Sequence, residues 1–275
     1  MKNILVPTDF SIYARHALLT ASQFAKKNNS TLHLLHLMGL PSQTKDPVNG
    51  HSANFPEAIL FMKNIHSKFE DLKELPEMQG INVHEDVNTE PMPDGVNKSV
   101  NENDVDMIVI GSQAKDTTGR LTESNTEKIV RSADVPVLVV KRPTDISKVK
   151  SIVFYCTFND DEISVLKNVN NFATEVGAVV HILYVNTPGD FKTTHSIESK
   201  MKSFLKKAPK ANYDLSIYND TTLERGILNF SNDIKADLIC LDVHENNTLS
   251  RLLNGSITED LMNHTEIPIL SFRLD

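Results

Sequence analysis

The chain has 275 residues, of which 40% are hydrophobic and 23% are charged. This composition is typical of a globular protein and excludes a disordered, collagen-like or coiled-coil chain. The 28 Lys and Arg residues against 36 Asp and Glu give a formal net charge of −8, so the chain lacks the basic surface that nucleic acid or an anionic membrane requires in a partner.

At roughly 150 residues per domain the length predicts two domains, and the sequence indicates that they are copies of each other. Residues 4–37 align with residues 152–185 at an offset of 148, and residues 106–138 align with residues 237–270 at an offset of 131 to 132. An insertion at 38–56, rich in Ser, Asn, Gly and Pro, is the natural source of the difference. With a linker at 141–147, we expect a first domain at 1–146 and a second domain at 147–275.

Both domains alternate apolar strands with segments of helical periodicity. The predicted strands of the first domain lie at 4–6, 32–37, 81–87, 106–111 and 135–140. Those of the second domain lie at 152–155, 180–185, 213–218, 237–242 and 267–272. Continuous apolar strands are buried on both faces in parallel sheets, so the pattern predicts two doubly wound α/β domains with right-handed crossovers.

The first helix of each domain carries recognisable end signals. Ser11 is the predicted N-cap in the first domain, and Asn159 is its predicted counterpart in the second, followed by three acidic residues at 160–162 that complement the helix dipole. Gly177 is expected to end the helix of the second domain.

The segment ILVPTDFS at 4–11 and the segment LLNGSITEDLMNHTEIPIL at 252–270 resemble the universal stress protein family in its tandem, two-domain form. The resemblance covers nearly the whole chain. It implies a five-stranded sheet in the order 3-2-1-4-5 in each domain and an antiparallel pairing of the two fifth strands. Members that bind ATP use an Asp at the end of the first strand and a loop of pattern G-x2-G-x9-G-[S/T] after the fourth strand.

In the first domain the resemblance assigns the adenosine side of such a site to Pro7, Thr8 and Asp9, with Leu37 lining the adenine slot. The loop candidates that match or replace its pattern are Gly111, Ser112, Ala114, Ser124 and Asn125. Glycines let backbone N–H groups approach phosphate oxygens, and a hydroxyl at a helix N-terminus lies where the dipole favours an anion. Here Ala114 and Glu123 stand where two of the glycines belong, and the Glu123 carboxylate adds repulsion toward a triphosphate.

The second domain departs from the pattern in a complementary way. Thr157 stands where the first domain has Asp9, and Asp242 and Glu245 replace the first two loop glycines, whereas Gly255 and Ser256 are kept. Two acidic residues in a phosphate cradle disfavour ATP. The sequence therefore predicts at most one ATP site, in the first domain.

Other candidate groups are expected to be structural. His33 and His36 are three residues apart on a strand and point to opposite faces, so they cannot share a metal ion. Cys156 and Cys240 are expected to be buried thiols on neighbouring strands, with a redox pair as the alternative. The pair at 244–245, His and Glu, lies in a polar segment with no nucleophile motif or metal spacing beside it.

Together these features predict a non-catalytic stress-response or regulatory module with at most one adenine-nucleotide site. An interaction scaffold without nucleotide binding is the alternative, and a weak ATPase is a further one, ranked last because no general base or metal-binding carboxylate pair accompanies the predicted site. The partners that we expect are a small nucleotide, an unidentified protein and a second copy of the tandem chain. With too few cysteines for a disulfide framework and no secretory signal, we expect a cytoplasmic protein.

Overall fold

The computed structural model of the chain describes residues 1–38, 55–112, 125–243, 261 and 264–273. Within them, ten strands form one sheet in the order β3-β2-β1-β4-β5-β10-β9-β6-β7-β8. Its strands are β1 Asn3–Pro7, β2 Thr31–Leu37, β3 Asn82–Asn88, β4 Met107–Gly111, β5 Val137–Val140, β6 Ser151–Tyr155, β7 Val179–Asn186, β8 Tyr213–Asn219, β9 Leu238–Val243 and β10 Ile269–Arg273.

This topology confirms the predicted fold class. Each domain contributes five strands in the order 3-2-1-4-5, and all pairings within a domain are parallel. The two domains join through β5 and β10, which pair antiparallel, with Leu138 opposite Leu270. The Ser271 hydroxyl also donates to the Val137 carbonyl oxygen at 3.2 Å across this junction.

Helices cover both faces of the sheet. Those with described bounds are α1 Ile12–Asn28, α2 Phe55–Lys73, α3 Asp94–Glu102, α4 Asn125–Ser132, α5 Glu162–Val176, α6 Thr194–Leu205 and α7 Leu223–Asp233. Helices α1, α2, α5 and α6 bury their apolar sides in one core layer, and α3, α4 and α7 bury theirs in the other. Because the strands contact helices on both faces, Ile4, Leu5 and Val6 of β1 are fully buried, as their continuous apolar run predicts.

Two of the three predicted helix ends are confirmed and one is wrong. The Ser11 hydroxyl accepts from the backbone N–H of Ala14 at 3.2 Å, and Gly177 ends α5 in the left-handed conformation, with φ 77°. Asn159, however, does not cap α5, which begins at Glu162. The residue at the N-cap position is Asp161, and the Glu162 carboxylate accepts from the backbone N–H of Asn159 at 2.7 Å, so Asn159 donates to the first helical residue instead of accepting from the helix.

The segment after β5 is held against α1 by side-chain bonds. Gln23 donates from Nε2 to the Thr144 carbonyl oxygen at 2.8 Å, and its Oε1 accepts from the Ile146 backbone N–H at 3.0 Å. The Thr20 hydroxyl accepts from the Thr144 backbone N–H at 3.0 Å. This part of the predicted linker is therefore fixed by α1 rather than loosely connected.

Of the predicted insertion at 38–56, residues 39–54 lie outside the described residues. The predicted domain boundary at residue 146 falls at the start of a short 3-10 helix, Ile146–Lys148, and stays a prediction. Among the described helices, none combines the length and the apolar character that crossing a membrane requires.

The bonds of Gln23 predict a measurable loss of stability. Replacement by Ala (Gln23→Ala) leaves a carbonyl oxygen and an N–H of the linker without their side-chain partner, so we expect the free energy of unfolding to fall by about 1–2 kcal/mol. Urea unfolding followed by circular dichroism measures it. Gln79→Ala, at an exposed residue, is the matched control, and an equal effect of both changes would contradict the role of Gln23.

Candidate functional site

The predicted site lies at the carboxyl ends of the first, second and fourth strands of the first domain. Pro7 ends β1, Leu37 ends β2 and Gly111 ends β4. The strand order reverses between β1 and β4, which is where open α/β sheets bind ligands. We call this edge the first mouth, and the corresponding edge of β6, β7 and β9 the second mouth.

A tight turn after β1 presents the Asp9 carboxylate at the first mouth. Thr8 is buried, and its hydroxyl accepts from the Phe10 backbone N–H at 3.0 Å. The exposed Asp9 side chain accepts at Oδ1 from the Ser11 backbone N–H at 2.9 Å. Phe10 between them has φ 63°, a conformation that costs energy in a non-glycine residue. The turn therefore positions a solvent-accessible carboxylate directly before α1.

Gly111 allows β4 and the start of α1 to approach closely. A Cβ at this position would lie 2.1 Å from the Tyr13 carbonyl oxygen and 2.9 Å from the Ala14 backbone nitrogen. The neighbouring Ser112 is buried, and its backbone N–H donates to the Val140 carbonyl oxygen at 2.9 Å. Glycine at 111 is thus required by packing within the fold, whether or not a phosphate approaches it.

The remaining loop candidates divide between described and undescribed residues. Asn125 is exposed and is the first residue of α4. Ala114, Ser124, Gly255 and Ser256 lie outside the described residues, as do Glu123, His244 and Glu245. The structure therefore brings together Pro7, Thr8, Asp9, Leu37, Gly111 and Ser112.

Several residues at the first mouth escape sequence reasoning. The Phe10 ring contacts His36, with ring centroids 4.8 Å apart, and the Lys68 ammonium lies 5.1 Å from the Phe10 ring centroid. His36 donates from Nδ1 to the Thr8 carbonyl oxygen at 2.8 Å, since a carbonyl oxygen can only accept.

Gly95 of α3 leaves room for Leu37, whose Cδ2 lies 2.7 Å from where a Cβ would stand. The repeat offers one sequence signal for this contact, because Gly226 stands at the position of Gly95 in the second domain and approaches Val185 in the same way.

The second mouth is filled by a carboxylate from its own helix. Glu162, 1% exposed, accepts at Oε1 and Oε2 from the Thr157 backbone N–H, at 2.9 and 3.2 Å. Oε2 also accepts from the Thr157 hydroxyl at 3.0 Å, and the Cys156 thiol lies 3.5 Å away. Lys200 of α6 also holds this turn, because its ammonium donates to the Thr157 carbonyl oxygen and to Asn159 Oδ1 at 2.8 and 2.9 Å.

Asp242 takes the repeat position of Gly111 and is only 4% exposed. Burial, and secondarily the Glu162 carboxylate, raises the pKa of Asp242 to about 7. Burial also raises the pKa of the Cys156 and Cys240 thiols, both of which are free and buried. Raised thiol pKa values disfavour the reactive thiolate, so the cysteines are placed as packing residues.

A third charged cluster lies away from both mouths. One ligand atom each from His66, Glu70 and Glu85 falls within 4.8 Å of the others, the one such group among the residues described. The Lys73 ammonium lies 2.6 Å from both glutamate carboxylates, and these hydrogen bonds raise the pKa of Lys73. An ammonium thus already occupies the place between the two carboxylates.

Comparison with known proteins identifies relatives of both domains. Residues 1–141 and 149–273 each match the Universal stress protein family. Universal stress protein Slr1230 of Synechocystis is 25% identical over 174 residues, covering 62% of this chain and 58% of that protein. Universal stress protein G of Salmonella typhimurium is 29% identical over 150 residues, covering 51% of this chain and 99% of its own. The chain thus spans little more than half the length of the Synechocystis relative.

A solved structure supports the same fold. A universal stress protein of Archaeoglobus fulgidus covers 99% of this chain and 96% of its own, with a TM-score of 0.66 and 16% identity. Another universal stress protein, solved in complex with cAMP, covers 51% of this chain and 97% of its own, with a TM-score of 0.38 and 17% identity.

The close approach at Gly111 predicts a large effect of a single methyl group. Gly111→Ala places a Cβ inside the backbone of α1 at Tyr13, so we expect a loss of about 3 kcal/mol in the free energy of unfolding. Gly189→Ala is the matched control, because nothing lies within 4 Å of its Cβ position, and we expect it to stay within about 1 kcal/mol of the parent. Similar stabilities of the two variants in urea would refute the packing requirement at Gly111.

Proposed function

This chain belongs to the universal stress protein family, and we propose that it is a non-catalytic regulatory module that binds one adenine nucleotide, at the first mouth. The contrast between the two mouths carries the proposal. At the first mouth the Asp9 carboxylate is exposed and held by a turn. At the second, Thr157 stands in its place and Glu162 fills the space behind it.

The chemistry of the first mouth suits an adenosine group. A carboxylate accepts hydrogen bonds from vicinal ribose hydroxyls, and the carboxylate of Asp9 remains accessible for that contact. Leu37, half-buried and packed against Gly95, provides an apolar wall at the end of β2. Phosphates would extend from the end of β4 toward the N-terminus of α4, where the helix dipole favours negative charge.

We propose a non-catalytic role because the described part of the first mouth offers few groups for phosphoryl transfer. That reaction needs a metal-holding set of ligands and a residue that orients the nucleophile. Asp9 is the carboxylate that the turn presents, and it is committed at Oδ1 to the Ser11 backbone N–H. We place the protein in the cytoplasm, which the two free thiols of Cys156 and Cys240 support.

Ligand binding should appear as stabilisation. ATP with Mg²⁺ at 100 times its Kd adds about 2.7 kcal/mol to the stability of the state that binds it, so we expect the thermal midpoint to rise at millimolar nucleotide. Asp9→Ala should abolish the rise because it removes the ribose acceptor. Asp9→Asn, which can still accept from the Ser11 N–H, separates the loss of charge from the loss of the turn.

Thr157→Ala is the matched control, since Thr157 occupies the position of Asp9 in the second domain, and its midpoint should rise with nucleotide as in the parent. Loss of the rise in Thr157→Ala alone would show that the nucleotide binds in the second domain, which contradicts the proposal. No rise in the parent chain would instead favour an interaction scaffold without nucleotide binding. In the second domain, Thr157 already stands where the first domain has the Asp9 carboxylate. Release of phosphate above background would identify an ATPase.

A further inference from the structure

The group of His66, Glu70, Glu85 and Lys73, which we call the edge cluster, takes no part in either mouth. His66 and Glu70 are four residues apart on α2 and therefore lie on one face of the helix, and Lys73 follows one turn later. Glu85 comes from β3, which is an edge strand of the sheet. The edge cluster therefore joins a helix to the edge of the sheet.

Buried neighbours fix the backbone on both sides of the edge cluster. Ile65 and Phe69, which directly precede the first two members on α2, are 4% and 1% exposed. On β3, Val83 and Val87 pack against the same core layer, and Glu85 between them points to that face because strand side chains alternate. Side chains on a packed helix and a packed strand are positioned more precisely than side chains on loops.

Three members of the edge cluster bring nitrogen and oxygen ligands together. One ligand atom each from His66, Glu70 and Glu85 lies within 4.8 Å of the others. The Nδ1 atom of His66 is 3.0 Å from Glu85 Oε2, and its Nε2 atom is 3.5 Å from Glu70 Oε1. Two ligands at roughly 2.0–2.2 Å from a tetrahedral Zn²⁺ lie about 3.4 Å apart. The separation of His66 and Glu70 is thus that of two ligands of one zinc ion.

The orientation of the His66 ring also favours a cation. A neutral imidazole carries one N–H, so only one of its nitrogens donates to a carboxylate, and the other faces a carboxylate with its lone pair. When Nδ1 donates to Glu85, the lone pair of Nε2 is directed toward Glu70. A metal-bound His commonly donates its other N–H to a carboxylate, which orients the ring for the metal.

Lys73 shows where a cation is stable in the edge cluster. Its ammonium lies 2.6 Å from Oε1 of Glu70 and 2.6 Å from Oε1 of Glu85. The Lys73 side chain is 31% exposed, and ion pairs at the surface add little to stability, so the ammonium can move into solvent at low cost. A divalent ion has twice its charge and bonds to an imidazole nitrogen as well as to carboxylate oxygens.

We propose that the edge cluster is a Zn²⁺ site in which His66, Glu70 and Glu85 are the ligands and the ion replaces the Lys73 ammonium. An imidazole together with carboxylates suits Zn²⁺, whereas Mg²⁺ and Ca²⁺ prefer oxygen ligands alone. Three protein ligands leave the fourth position of the ion to water. The bound ion links α2 to β3, and the proposal does not depend on nucleotide binding at the first mouth.

Titration of the full chain with zinc chloride, followed by isothermal titration calorimetry, tests the site. We expect saturable binding that His66→Ala weakens at least about tenfold, since even the loss of an outer partner of a metal ligand costs that much. Glu85→Gln keeps the shape of the side chain, removes its charge and should weaken binding likewise. His195→Ala is the matched control, because His195 is an exposed histidine of α6, and it should bind Zn²⁺ as the parent does.

Lys73→Met tests the replacement of the ammonium. Without this competitor Zn²⁺ should bind up to about tenfold more tightly than in the parent. The substituted side chains of the edge cluster are all at least partly exposed, so the variants should fold, and circular dichroism checks this. The proposal would be overturned by a parent chain that takes up no Zn²⁺, by equal affinities of the parent and His66→Ala, or by binding that appears in Lys73→Met alone.

Discussion

The structure of each mouth depends on the packing between the end of the fourth strand and the start of the first helix. In the first domain the absence of a side chain at Gly111 lets the backbone of α1 lie against β4. Helix α1 then begins at Ile12, directly after the turn that presents Asp9. In the second domain Asp242 occupies the corresponding repeat position and is 4% exposed, and α5 begins at Glu162, two residues later than the repeat would place it.

The two mouths therefore use a carboxylate for opposite purposes. Asp9 satisfies one N–H of its turn and stays accessible. Glu162 reaches back from the helix, satisfies the N–H groups of Thr157 and Asn159, and is buried. Both arrangements stabilise the turn between the first strand and the first helix, but only that of the first domain leaves a charged acceptor for a ligand. The two domains thus differ together in the charge that they expose at this edge and in the residue at which the first helix begins.

The sequence predicts the architecture well because the repeat and the apolar periodicity are both strong signals. The strand order within each domain follows from the resemblance, and the caps at Ser11 and Gly177 follow from local propensity. Asn159 fails as the N-cap because α5 begins at Glu162, so Asn159 lies three residues before the helix and its backbone N–H donates to the Glu162 carboxylate. Glutamate in a first helical turn is usually an exposed complement to the dipole, and nothing in the sequence marks this one as buried. Gly95 and Leu37 likewise meet only through tertiary packing.

The antiparallel junction of β5 and β10 explains how the two domains can differ without conflict. Because the parallel strands of one domain run opposite to those of the other, their carboxyl edges lie at opposite edges of the shared sheet. The two mouths are thus separated by the full length of the central strands. Contacts between the domains include that of Phe24 with Phe172, whose ring centroids are 5.9 Å apart. Because the two edges lie apart, the second domain buries the Glu162 carboxylate while the first domain keeps that of Asp9 exposed.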